Sequence, residues 1–220
     1  MFPLRVLCAF VSLWLIFCFG LGCAVPPQKQ AAPKDQGIVI SIDLCQSHKP
    51  YEKKLFRALE DLGRKQGKPV PIAVSIAGGW IKKHQGELAE LKKMYLNITW
   101  VNHSYTHPIE NDFLNAPNVD FRHEVLANID LMKQNGLTPS KYFRFPGLRH
   151  NALRLKQLHD LGYTNFDADA WLAKGQKIKA GSIILIHGNG NEVPGVVDKF
   201  IVYLKKENKY KIVPISSLSL

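Results

Sequence analysis

The chain has 220 residues and a formal net charge of +11, from 29 Lys and Arg against 18 Asp and Glu. That is room for one domain with a sizeable core and too little for two. Its lysines, among them Lys53, Lys54, Lys82, Lys83, Lys92 and Lys93, are scattered along segments of helical periodicity. A nucleic-acid footprint would gather them in one patch, so nucleic acid is excluded as a partner, and anionic wall polymers or a membrane surface are the natural neighbours of the charge.

Taken in order, residues 1–23 carry one charge, Arg5, before an apolar run through Phe19 and the ending Gly20-Leu21-Gly22-Cys23. This is the pattern of an export signal. The ending resembles the cleavage box of bacterial lipoproteins, with Cys23 as the lipid anchor; cleavage after Ala24 and a retained single-pass helix stay open as alternatives. Residues 24–36 hold three prolines and almost no large apolar side chains, the composition of a flexible tether. The expected location is therefore the cell envelope, with the membrane reached only through the N-terminus. Cys8, Cys18 and Cys23 belong to the signal, which leaves Cys45 alone in the mature chain and no disulfide within it.

From residue 37 to 220, apolar β-branched runs alternate with segments of helical period. Strands are expected at 38–42, 70–76, 98–101, 142–145, 163–166, 183–186 and 210–215. Helices are expected at 51–66, 81–95, 119–136, 150–161 and 194–207, two of them stopped by Gly136 and Gly162. The alternation predicts an α/β fold with a mainly parallel sheet, and seven runs suit an incomplete barrel.

The residues able to do chemistry fall where these strands end. Asp43 follows the first, His103 and His107 the third, Arg144 closes the fourth, Asp167 and Asp169 follow the fifth, and His187 the sixth. In parallel α/β barrels those ends share one face, and that face carries the chemistry. His103 and His107 lie four apart, about one helical turn, so both rings can face one point, and imidazole is the commonest metal ligand. Read singly, each residue has a plainer role. Asp43 caps a helix, His187 packs in a core, Arg144 pairs a structural acid and Trp171 fills space.

Together these motifs resemble the polysaccharide deacetylase family, the NodB-homology or family 4 carbohydrate esterase domain, over nearly all of residues 37–217. Ser41-Ile42-Asp43-Leu44-Cys45 stands for the family's T-F-D-D-G, and His103-Ser104-Tyr105-Thr106-His107 matches H-[ST]-x-x-H. Arg144-Phe145-Pro146-Gly147 follows R-x-P without the aromatic. Asp167-Ala168-Asp169-Ala170-Trp171 and Leu185-Ile186-His187 fit the last two motifs, the first with its second acid displaced by one.

The resemblance implies a distorted (β/α)7 barrel and a hydrolase of carbon–nitrogen, non-peptide bonds. Its substrate would be an N-acetylated glycan such as peptidoglycan or poly-N-acetylglucosamine, acted on by a monomer. It makes Asp43 the base, His187 the acid, and His103 and His107 ligands of a divalent ion, usually zinc. It also makes Leu185 the acetyl pocket, Gly147 an oxyanion donor, and Arg144 the support of Asp43, steadied in turn by Asp167 or Asp169; Trp171 walls the groove. Leu44 replaces the family's second Asp, a metal ligand, so a weakened metal site is expected. Asp43 would then ligate directly or through water, with a water, His48, Cys45 or no metal at all as the other outcomes. A glycan-binding module that has lost catalysis is the alternative.

Overall fold

The computed structural model describes residues 37–109, 119–206 and 209–217. The expected signal, Cys23 anchor and tether lie outside the described residues. Seven strands, β1 (Val39–Leu44), β2 (Val70–Ile76), β3 (Leu96–Asn102), β4 (Pro139–Phe143), β5 (Thr164–Asn165), β6 (Ala170–Trp171) and β7 (Ile183–His187), form one sheet. All pairs are parallel, in the order β5-β4-β3-β2-β1-β7-β6. The helices are α1 (Lys53–Gln66), α2 (Gly78–Lys83), α3 (Gln85–Leu91), α4 (Phe121–Gln134), α5 (Ala152–Asp160) and α6 (Val196–Lys205).

The period of two along each strand explains the two layers. Ile40, Ile42 and Leu44 face outward and pack with Leu55, Phe56 and Leu59 of α1 and Val197, Phe200 and Leu204 of α6. Val39 faces inward with Ala73, Val101, Tyr142, Phe166 and Ile183. Each such side chain, fully buried, contributes about 1.5–3 kcal/mol. Because both faces are covered, β1 reads as a continuous buried run.

The sheet curls into an incomplete barrel. Arg144, one residue beyond β4, reaches Ser41 in β1 at 2.9 Å, across two intervening strands, which a flat sheet does not permit. The two-residue strands β5 and β6 are the open edges, and residues 166–169 carry the chain from one edge to the other.

Two expected elements differ. The run 210–215 pairs only at Ile212, opposite Ile38, because Pro214 has no N–H to continue a ladder and a 3₁₀ turn starts at Ile215. The seventh strand is instead β6, two residues long. The helix expected at 81–95 is two short ones, α2 and α3, broken at His84 (φ −121°, ψ 45°). The buried His84 ring stacks on Trp80 and lies 3.0 Å from the Ser47 carbonyl. Helices α4 and α5 are capped at their N-termini by Asp120 and Asn151, which accept from His123 and Arg154 N–H groups.

Candidate active site

Asp43 lies inside β1, one residue before its end, and is buried with its side chain on the inner face. Its register neighbour in β7 is His187, so adjacent strands set the acid and the imidazole side by side. Asp43 Oδ1 accepts from Arg144 Nη1 at 3.4 Å, and Oδ2 lies 3.8 Å from His103 Nε2. Burial pushes the Asp43 carboxyl up, but the Arg144 charge, helped by the neighbouring His187 and the Ser75 hydroxyl, outweighs it and holds it below its ordinary value. Asp43 is therefore ionised although buried. The Arg144 guanidinium also covers the Phe166 ring at 4.4 Å.

His103 and His107 converge, though not on a helical turn. Residues 103–107 form a loop in which Ser104 (φ 67°) and His107 (φ 54°) take left-handed backbone, a strained conformation held only where its surroundings dictate it. Glu124 of α4 supplies that restraint: Oε2 accepts from Tyr105 and Thr106 N–H at 3.0 and 2.9 Å, and Oε1 from the Thr106 hydroxyl. Ser104 Oγ accepts from His107 N–H. The loop carbonyls of Ser104 and Tyr105 accept from Gly78 and Gly79. A Cβ at Gly78 would lie 2.6 Å from the Tyr105 oxygen, so only glycine permits this approach.

The result is two imidazoles with Nε2 atoms 3.2 Å apart. His103 Nδ1–H donates to the Arg144 carbonyl at 2.8 Å, which leaves its Nε2 lone pair free to ligate. Burial lowers the His103 pKa, and burial with the neighbouring His103 lowers that of His107 to about 3. Both rings are neutral, the form in which imidazole binds metal. Cys45 Sγ lies 3.5 Å from His103 Nε2, and the three ligand atoms lie within 4.8 Å of one another. This donor set fits a divalent ion. His48 stands outside it, 3.1 Å from Lys83 at the surface.

His187 is the last residue of β7. Its Nδ1 lies 3.4 Å from Glu192 Oε2, which also accepts the His187 backbone N–H at 2.8 Å. Burial alone would lower the His187 pKa, but the hydrogen bond its ring donates to Glu192 and the charges of Asp43 and Glu192 raise it. Trp171 flanks the ring, with centroids 5.9 Å apart. His107, His187 and Cys45 open on a cavity of about 500 Å³, at the C-terminal ends of the strands. A larger hollow of about 710 Å³ lies by the strand N-termini, around Val70 and Tyr210, away from these imidazoles.

The remaining expected residues divide. Leu185 is buried in β7, in register with Ser41 and Trp171. Asp167 binds His150 at 2.9 Å and Asn165 at 2.8 Å, and reaches Arg144 only through its charge. Asp169 is not a support of Arg144. Its Oδ1 accepts from Ile183 N–H at 2.7 Å, tying β6 to β7. Gly147 takes left-handed backbone (φ 62°) after Pro146, and no contact brings its N–H to the imidazoles. Sequence reading passed over Glu124 and Glu192, and gave Cys45 only as one candidate to fill the gap.

The polysaccharide deacetylase family model matches residues 32–166. The chain belongs to the polysaccharide deacetylase family. Solved members share its fold. A family 4 carbohydrate esterase from Bacillus anthracis is 22% identical with a TM-score of 0.65, covering 85% of this chain and 84% of that one. The Bc1960 peptidoglycan N-acetylglucosamine deacetylase is 15% identical with a TM-score of 0.64, covering 86% and 90%. A family 4 pseudoenzyme from Bacillus anthracis is 17% identical with a TM-score of 0.59, covering 85% and 66%, and a mutant of it has restored activity. Among the described residues, no helix is long and apolar enough to cross a membrane.

Proposed function

We propose that this chain is a metal-dependent deacetylase that hydrolyses the N-acetyl amide of an envelope polysaccharide, with peptidoglycan or poly-N-acetylglucosamine as substrate class. Residues 1–23 would export it, Cys23 would anchor it and residues 24–36 would tether the domain near its polymer. One observation carries the reading: Asp43, His103, His107 and His187 meet at the C-terminal ends of β1, β3 and β7, with His107 and His187 opening on one cavity.

A divalent ion, zinc by preference, held by the imidazoles would polarise the amide carbonyl and make water a stronger nucleophile. The chain supplies the proton transfers. Asp43, kept ionised by Arg144, takes a proton from the attacking water. His187, kept protonated by Glu192, gives one to the amine nitrogen as the carbon–nitrogen bond breaks, so that acetate and a free amine leave. Leu185 and Trp171 wall the acetyl side, and burial of Asp43 and His103 excludes competing solvent.

Acetate release from N-acetylglucosamine oligomers and from peptidoglycan tests this, with His103→Ala as the control. Release by the parent chain alone supports the reading, and equal release by both counts against it. A second reading, a glycan-binding module without turnover, draws on Leu44, whose side chain lies in the outer apolar layer and ligates nothing. It expects oligomer binding with no acetate.

A further inference from the structure

The strand phase that removes Leu44 from the cavity delivers its successor. Leu44 is the last residue of β1 and faces outward; the next side chain, Cys45, turns inward and is buried. Its backbone is fixed there, because Asn189 Nδ2, itself buried, donates to the Cys45 carbonyl at 3.2 Å. The thiol sulfur then lies 3.5 Å from His103 Nε2, which lies 3.2 Å from His107 Nε2.

Those two spacings suit a shared ion, and all three atoms lie within 4.8 Å of one another. Around a tetrahedral ion with bonds of about 2.0 Å to nitrogen and about 2.3 Å to sulfur, nitrogen–nitrogen and nitrogen–sulfur separations are about 3.3 and 3.5 Å. Asp43 lies outside this group of three, with Oδ1 accepting from Arg144 and Oδ2 3.8 Å from His103 Nε2. His48 is spent at the surface on Lys83.

We infer that Cys45, losing its thiol proton to solvent as the ion binds, is the third protein ligand of a Cys-His-His metal centre with His103 and His107. An anionic sulfur thus replaces the anionic oxygen that Leu44 does not provide, and Asp43 stays free as a base. A thiolate with two imidazoles selects a borderline or soft ion, Zn²⁺ or Co²⁺, over Mg²⁺, Ca²⁺ or Mn²⁺. Three protein ligands leave the fourth position of a tetrahedral ion to solvent or substrate. The inference rests on the cavity being a metal site, and not on turnover.

The test is zinc titration and zinc-edge X-ray absorption on the full-length chain, with Cys8, Cys18 and Cys23 changed to Ser so that Cys45 is the one thiol. The expected shell has one sulfur at about 2.3 Å beside nitrogen at about 2.0–2.1 Å. Cys45→Ala loses the sulfur and weakens zinc by more than about 100-fold, since even outer partners of ligands are worth about 10–100-fold. Cys45→Asp, offering an anionic oxygen from the same place, keeps zinc without sulfur. If Cys45→Ala does not fold, the shell of the Cys45 protein decides by itself. A shell of nitrogen and oxygen only, with zinc affinity unchanged in Cys45→Ala, overturns the thiolate's role and leaves the hydrolase reading standing. No zinc binding to the Cys45 protein overturns both.

Discussion

Replacing Glu192 by Gln removes the charge that faces His187 while keeping an oxygen to accept the His187 backbone N–H. The Glu192 carboxylate is 2% exposed and His187 22%, at 3.4 Å, so the pair is poorly screened. Burial would raise the Glu192 carboxyl, but hydrogen bonds from the His187 ring and from the His187 and Val193 N–H groups hold it below its ordinary value. The carboxylate is therefore charged wherever His187 titrates. At an effective dielectric of about 20 the attraction is bounded near 5 kcal/mol, and the net value of a charge-assisted hydrogen bond is about 1.5–3 kcal/mol. The long separation argues for the low end, which at about 1.4 kcal/mol per unit amounts to about one pKa unit.

The sign follows from the role. His187 acts as an acid, so activity falls as pH rises through its raised pKa. Glu192→Gln should move that basic limb about one unit toward acid, with the plateau below it kept within about threefold. The other charges near His187, Asp43 and Arg144, are untouched by the change. The assay is kcat/KM for acetate release against pH. A basic limb that stays in place refutes the reasoning, because a merely structural loss would lower the whole profile without shifting it. Stability behaves in parallel: the pair stabilises the fold below the ordinary imidazole pKa of 6.5, down to where Glu192 protonates. That contribution disappears as pH rises through the raised value.

Asp43→Asn should lower kcat by about 10²–10⁴ while zinc affinity is kept, measured by turnover and by zinc titration of the same preparation; a joint loss would make Asp43 a ligand. Glu124→Ala frees the backbone of Tyr105 and Thr106, and zinc affinity should fall about 10–100-fold with the helices intact by circular dichroism; unchanged affinity would show that the loop holds itself. Leu44→Asp places a carboxylate against Phe56 and Ile42 in the outer layer and should destabilise the fold by about 3–5 kcal/mol in urea denaturation. A gain in zinc affinity without that loss would contradict the outward facing of residue 44.

The order of strands and helices was legible because buried parallel strands and amphipathic helices have distinct periods, and the His103–His107 spacing with His187 identified the cavity's imidazoles. What the spacing did not convey is that a loop under strain, clamped by Glu124, brings the pair together. Glu124 occupies one turn of an amphipathic helix and reads like any surface acid. Glu192 lies in an aperiodic loop, where no pattern announces a partner for His187. Asp167 and Asp169, two residues apart with no helix or long strand to set their phase, were indistinguishable until the Ile183 N–H of β7 was found on the Asp169 carboxylate. Leu44 showed what was missing; that Cys45 faces the gap depends on where β1 ends. The run 210–215 alternated like a strand, and Pro214 cut it to one bridge.

The central claim is that an amide is hydrolysed in this cavity by these side chains. Proton NMR of an N-acetylglucosamine oligomer incubated with the zinc-loaded chain measures it directly. The account predicts acetate and free glucosamine amine in equal amounts, both abolished by Asp43→Asn and strongly reduced by His187→Ala. Oligomer resonances that broaden on binding while no acetate appears would contradict it.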